Sequence, residues 1–470
     1  MSRLAILSVV LAAVVGPQTA AAGDFTTRDQ MLPMDDGVGI ATTVYTPVGQ
    51  GPFPALLVLH GIGQNRQTFA SVASTFASEG YVVVVPDFRG HGQSGGLFTA
   101  LGPREIADIA AIRTRWLSML APVDPTRVGA WGISLGGGAV LRAAAEGVPF
   151  SAIEVLETWT DLAEALAPQA FPKTGAIFQF LSSVPRDRQS VELTEAANAV
   201  ARRDIAAVRA FSQQRSTRHL LGQVRFPPTL FFQGRRDFAF GLEQGFSAWN
   251  RLSAPKALYI GPFGHAPSRF PGPDDVVVMQ RAVQWFNSYV RGLPAPPDMP
   301  PVELAPDPFT TASRTRGSST LPATRTIRYT LGGRRTIGAA GKVVRRVALG
   351  SRLRETFGAP VARVQASSTN GWSHLVAVLV ARTPDGREIV VSEGGTPTEL
   401  SRRPRTVTIR LISQATTIPA RSRLELTIAA TSTAQNPGNL LYLVPVDDRA
   451  RVTIGKVRLS MPVLRTPVSR

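Results

Sequence analysis

The chain has 470 residues and a mass of 50.2 kDa, with 44% apolar and 18% charged side chains. That composition fills the cores of two or three globular domains and excludes a disordered chain. It has no cysteine, which excludes a disulfide framework, a thiol nucleophile, thiolate zinc sites and a lipidated N-terminal cysteine. The net charge is +18, and it is unevenly spread: residues 301–470 hold 26 Lys and Arg against 10 Asp and Glu.

Met1-Ser2-Arg3 gives a short positive start and Leu4 to Gly16 is apolar. That run is too short for the roughly 20 residues of a membrane-spanning helix. Ala20-Ala21-Ala22 then reads as a small-residue cleavage site. An export signal over 1–22 is therefore expected, with a mature extracytoplasmic chain from Gly23.

From Gly37 to Leu293, short apolar runs alternate with helical periods. Ala55–Leu59, Tyr81–Val85, Val128–Trp131, Ala152–Leu156, Thr229–Phe232 and Ala257–Ile260 are the strand-like runs. Strands apolar on both faces belong in a parallel sheet covered by helices. Thr68–Ser78 and Glu105–Leu120 lie between them with helical spacing. An open, mostly parallel α/β sheet is predicted for a catalytic domain over 23–293. An insertion over 158–222 is predicted to be helical, with Thr194–Phe211 its clearest helix, and it suits a lid over a pocket or a plain packing segment.

Residues 294–308 are rich in proline and read as a semi-rigid linker. Beyond them, over 309–470, apolar residues alternate with polar ones, as in Val407, Ile409, Leu411 and Leu424, Leu426, Ile428. Leu375–Val380 is strand-like, and Pro384-Asp385-Gly386-Arg387 is a turn between two strands. An antiparallel β-sandwich is predicted there. Its basic surface suits an anionic cell-surface polymer, or is the exposed strand surface of an arginine-rich protein. No nucleic-acid partner is expected, and the oligomeric state is not legible.

Gly132-Ile133-Ser134-Leu135-Gly136 follows a strand and precedes a small-residue helix, the context in which G-x-S-x-G exposes a nucleophilic serine. Ser134 needs a base. Of the five histidines (His60, His91, His219, His265, His374), His265 follows the last strand of the α/β region on the turn Gly261–Gly264. The imidazole needs a carboxylate partner. Asp237, after Thr229–Gln233, is the candidate, with Glu157 and Asp161 as substitutes. The oxyanion donors are assigned to the backbone N–H groups of Leu135 and of Ile62 in His60-Gly61-Ile62-Gly63-Gln64, with Gly63 next. His60 and the segment Asp87–Ser94 read as structural support. No metal and no organic cofactor is required.

Together, Ser134, Asp237, His265, the His60-Gly61 loop and Asp87–Ser94 resemble the α/β-hydrolase superfamily. Met34–Val38, Thr43–Pro47 and Gly51–Pro54 are similar to the entry of the X-Pro dipeptidyl-peptidase and cocaine-esterase family. That resemblance implies a helical insertion before the acid and a C-terminal jelly-roll-like β domain. It implies two substrate classes, peptides cleaved as N-terminal dipeptides or carboxylic esters. The family usually has a tyrosine after the nucleophile and another in the first loop. Leu135 and His60–Gln64 depart from this and resemble dienelactone-hydrolase-like and lipase-like relatives. A dipeptidyl-peptidase would need buried carboxylates for the free amine, for which Glu157, Asp161 and Glu192 are the candidates. The resulting expectation is an exported serine hydrolase with an acyl-enzyme. The alternative is a non-catalytic protein attached to an anionic polymer through its basic β domain.

Overall fold

The computed structural model describes residues 23–296, 298–433 and 440–469; the expected export signal, 1–22, lies outside the described residues. Ten strands form one sheet: β1 Phe25–Pro33, β2 Gly39–Pro47, β3 Phe53–Leu59, β4 Val82–Pro86, β5 Val123–Ile133, β6 Ala152–Leu156, β7 Thr229–Gly234, β8 Lys256–Gly261, β9 Val302–Leu304 and β10 Arg316–Ser318. Their spatial order is β1-β2-β4-β3-β5-β6-β7-β8-β9-β10. The pairs from β4 through β3, β5, β6, β7 and β8 to β9 are parallel. Those at the two edges are antiparallel.

The apolar runs follow from burial on two faces. Leu57, Leu59, Val82, Val84 and Ala130 pack on one side with Ile106, Ile109, Ala139 and Val140 of the helices Pro103–Ala111 and Leu135–Ala145. Leu56, Val58, Val83, Val85 and Trp131 pack on the other with Phe76, Ala282 and Phe286 of the helices Ala70–Ser78 and Asp275–Tyr289. Consecutive side chains of one strand thus enter opposite layers, and both layers exclude water. The predicted parallel sheet is observed. It extends beyond the α/β run, because the proline-rich stretch 294–308 contains β9, which pairs with β8. No described helix is long and apolar enough to cross a membrane.

Between β6 and β7 the chain leaves the sheet for the helices Leu162–Leu166, Thr174–Ser182, Val191–Arg202 and Ile205–Gln213. The single helix expected over Thr194–Phe211 is two. Arg203 takes a left-handed conformation (φ 57°), and the Asp204 carboxylate caps a new helix by accepting from the Ala207 N–H. That N-cap satisfies a donor that an uninterrupted helix would have satisfied internally.

The C-terminal strands are β11 Thr324–Leu331, β12 Arg335–Gly338, β13 Val343–Ala348, β14 Arg354–Glu355, β15 Val361–Ser368, β16 His374–Arg382, β17 Glu388–Pro397, β18 Arg405–Arg410, β19 Thr417–Ile418, β20 Arg423–Ala429 and β21 Arg451–Leu464. One antiparallel sheet runs β11-β21-β15-β18 with β12 also on β21, and another runs β13-β20-β16-β17. Ala362, Val364, Val457 and Leu459 of the first share a core with Leu375, Leu379, Leu424 and Leu426 of the second. β16 and β17 are joined through the predicted turn, where Gly386 has φ +85°.

Candidate active site

The carboxyl ends of β3, β5, β6, β7 and β8 lie side by side, and each delivers one part of the site. Such an edge is where ligands bind in open α/β sheets. Ser134 sits between β5 and the next helix at φ 53°, ψ −114°, a strained conformation for a residue with a Cβ. The glycines around it are there for space. A Cβ on Gly132 would lie 2.3 Å from the Gly136 carbonyl oxygen, and one on Gly136 would lie 2.1 Å from that of Leu59. Ser134 N–H donates to the Leu156 carbonyl, and Thr158 Oγ1 donates to the Ser134 carbonyl, so β6 holds the turn in place.

Ser134 Oγ is 3.0 Å from His265 Nε2. His265 Nδ1 is 2.7 Å from Asp237 Oδ2, which also accepts from the His265 backbone N–H at 3.1 Å. Asp237 Oδ1 accepts from the Ala239 and Phe240 N–H groups. The carboxylate is therefore fully buried yet fully hydrogen-bonded, the condition for keeping a charge out of water. Gly264 (φ +133°) brings the loop against it, since a Cβ there would come within 3.1 Å of the Asp237 side chain. The structure thus joins Ser134, His265 and Asp237 across 131 and 28 residues of chain. Arg235 does not pair with Asp237; its fully buried guanidinium pairs with Glu355.

Of the substitute acids, only Glu157 is near. Its Oε2 lies 3.7 Å from His265 Nδ1, and Oε1 is buried with no hydrogen-bond partner among the described residues. Burial pushes its pKa up, His265 works against that, and Asp237 adds to it. For His265, burial alone would lower the pKa, but the Asp237 charge and hydrogen bond, helped by Glu157, raise it above the ordinary 6.5. Asp161 caps the helix Leu162–Leu166 and faces Arg218. Glu192 pairs with Arg215. Neither reaches Ser134.

Ile62 and Leu135 flank Ser134 in the wall of one cavity. Among the described residues neither backbone N–H donates to another backbone group, which leaves both free to donate into the cavity. His60 is fully buried: Nδ1 donates to the Gly61 carbonyl and Nε2 accepts from Phe88 N–H. Burial first, and then His91, push its pKa down to about 3, so it stays neutral. Asp87 accepts from Arg66 N–H and Gln93 N–H, and Arg89 is held by both Asp36 and Asp108. His60 and Asp87–Ser94 brace the loop that carries Ile62.

Glu157, Asp237 and His265 form the one described cluster dense enough in donors for a metal ion. Asp237 and His265 already spend their donors on each other, on Ser134 and on the backbone.

The cavity beside Ser134 has a volume of about 110 Å³. More than half of its lining comes from the insertion, including Leu166, Ile177, Phe180, Leu193, Val200 and Phe211. Sequence reading missed Lys173. Its fully buried ammonium donates to the Phe238 and Ala239 carbonyls, beside Asp237. Burial lowers its pKa to about 8. A lone lysine in a stretch of small and apolar residues was the available signal.

A parallel sheet with a serine elbow, an acid loop, a histidine loop and a helical insertion before the acid defines the α/β-hydrolase fold. Residues 36–267 match the family model of the X-Pro dipeptidyl-peptidase (S15 family). The chain has that fold, and within it residues 36–267 resemble the X-Pro dipeptidyl-peptidase family. A CocE/NonD family hydrolase from Staphylococcus aureus superposes with a TM-score of 0.73 over 94% of each chain, at 14% identity. An α-amino acid ester hydrolase superposes at 0.69 over 97% of this chain and all of that one, at 17% identity. At such identities the likeness is one of fold. The quorum-quenching protein AidA of Acinetobacter baumannii is 35% identical over 109 residues, which are 22% of this chain. The match spans 34% of AidA, about a third of its length.

Proposed function

We propose that the chain is an exported serine hydrolase that cleaves ester or peptide acyl bonds through Ser134, His265 and Asp237. The observation that carries this is the relay from Ser134 Oγ through His265, at 3.0 and 2.7 Å, to a buried, hydrogen-bonded carboxylate. Ser134 Oγ attacks the substrate carbonyl carbon and its proton passes to His265 Nε2. The oxyanion is received by the Ile62 and Leu135 N–H groups. The intermediate collapses, the carbonyl-to-leaving-group bond breaks, and the leaving group takes the proton from His265. Water then attacks the acyl-Ser134 ester, gives a proton to His265, and the acid departs as Ser134 is reprotonated. Asp237 keeps Nδ1 protonated and stabilises the imidazolium. Export rests on the Met1–Ala22 pattern, and N-terminal sequencing of protein recovered outside the cytoplasm, starting at Gly23, tests it.

The substrate classes suggested by the family resemblance are peptides and esters. The candidate carboxylates for a peptide's free amine support the peptide class poorly: Asp161 and Glu192 are engaged elsewhere and Glu157 sits behind His265. A fluorophosphonate probe tests the reaction class. Labelling of the wild type that is lost in Ser134→Ala supports the enzyme. A folded wild type that takes no label points instead to the non-catalytic binder, with its basic C-terminal surface as the functional part.

A further inference from the structure

We infer that the substrates are uncharged esters whose acyl part is a plain aliphatic chain of about four to six carbons; this rests on the serine-hydrolase reading and names its substrate class. The cavity at Ser134 is walled almost wholly by carbon. Apart from Ser134 and Ser212, every residue around it is apolar, and no carboxylate, lysine or arginine faces it. A substrate ammonium or carboxylate placed there would lose its hydration with nothing to replace it, whereas each buried CH2 strengthens binding about fourfold.

The cavity takes the acyl side rather than the leaving group. The departing atom must lie within reach of His265 Nε2 to receive its proton. His265 is not part of the cavity wall; Phe240 and Phe180 stand between, their rings edge-on to the imidazole at 5.0 and 5.7 Å. Ile62 and Leu135, the oxyanion donors, do line the wall, so the carbonyl sits at the mouth and its alkyl substituent points inward. Size sets the length. An apolar cavity of roughly 150 Å³ accepts a benzene ring, so the 110 Å³ here suits a slightly smaller group. The helix Val191–Arg202 forms part of the wall, through Leu193, Ala197 and Val200.

The test uses the mature chain with p-nitrophenyl acetate, butyrate, hexanoate and decanoate beside Gly-Pro p-nitroanilide. Ala197→Phe and Val200→Phe are the variants, and each sample is first labelled with a fluorophosphonate. The expected kcat/KM rises about fourfold per CH2 to a maximum near butyrate or hexanoate, falls at decanoate, and exceeds that for the anilide. In a variant that still takes the label, hexanoate turnover drops at least about tenfold while acetate stays within about twofold. A maximum at acetate or decanoate, a faster anilide, or equal losses on acetate and hexanoate overturns the acyl-chain assignment while labelling keeps the serine-hydrolase reading intact. A folded wild type that is never labelled overturns both. Should both variants fail to fold, the wild-type length profile decides alone.

Discussion

At the residue scale the site turns on how two buried carboxylates share one imidazole. Both oxygens of Asp237 are hydrogen-bonded, whereas Glu157 has an oxygen with no partner among the described residues, and burial raises its pKa. Burial opposes protonation of His265, but the Asp237 charge and hydrogen bond, with a smaller contribution from Glu157 where it is ionised, outweigh it and raise the pKa above 6.5. On the proposed mechanism His265 acts as base only when neutral, so the acid limb of kcat/KM is expected above pH 6.5, activity rising as pH rises through the His265 pKa. Glu157→Gln removes one contribution that raises it, and the limb moves to lower pH; a pH–rate profile of both proteins checks this, and a shift to higher pH would refute it. Asp237→Asn loses the partner that fixes the imidazole, and kcat should fall by roughly 10³–10⁴-fold, measured on an ester both proteins bind. Ser134, Asp237 and His265 were legible because each follows an apolar strand with a glycine turn. The 3.7 Å approach of Glu157 to the imidazole was not, because sequence order says that it follows β6 but not which way its side chain faces.

Elements were legible where a single packing surface set their period. The parallel strands read correctly because two helical layers cover them. Two elements read less well. The segment Thr194–Phe211 keeps its helical spacing across a break, since the Asp204 cap starts a second helix without disturbing the apolar stripe of Leu193, Ala199 and Val208. Asp204→Ala removes that cap and should destabilise the helix Ile205–Gln213 by about 1 kcal/mol. Amide exchange in 205–213 is then expected to quicken about fivefold, with little change at β5 or β7. The run Leu375–Val380 in β16 carries no polar face although its sheet is antiparallel. Leu375, Ala377 and Leu379 enter the C-terminal core. Val376, Val378 and Val380 instead meet Phe171, Ala176 and Phe238 of the α/β part. A sheet that reads as half-wet from its alternation elsewhere is dry here because it is also an interface.

On the scale of the whole molecule, that interface reaches the acid loop. Gln414 Nε2 donates to the Asp237 carbonyl, Ala415 N–H to that of Arg235, and Leu242 N–H to that of Ser413. Arg235, two residues before the acid, gives its guanidinium protons to the Ala305 and Ala415 carbonyls and to Glu355 on β14. Glu355 in turn accepts from the Val468 and Ser469 N–H groups. Segments more than 100 residues apart thus meet on one buried ion pair, which no local pattern could announce. A buried pair adds little net stability against an apolar replacement, but breaking one side leaves a bare charge in the interior and costs about 3–5 kcal/mol. Glu355→Gln should therefore lower the denaturant midpoint sharply. It should also lower kcat in protein that remains folded, because the Arg235 turn carries Asp237. Arg235→Met combined with Glu355→Met removes both charges and should recover much of the midpoint, though not all, since the Ala305 and Ala415 carbonyls lose their donor. Urea unfolding of the three proteins, read alongside ester turnover, separates the outcomes. A single variant as stable and active as the wild type would show that the C-terminal sheets do not hold the acid loop.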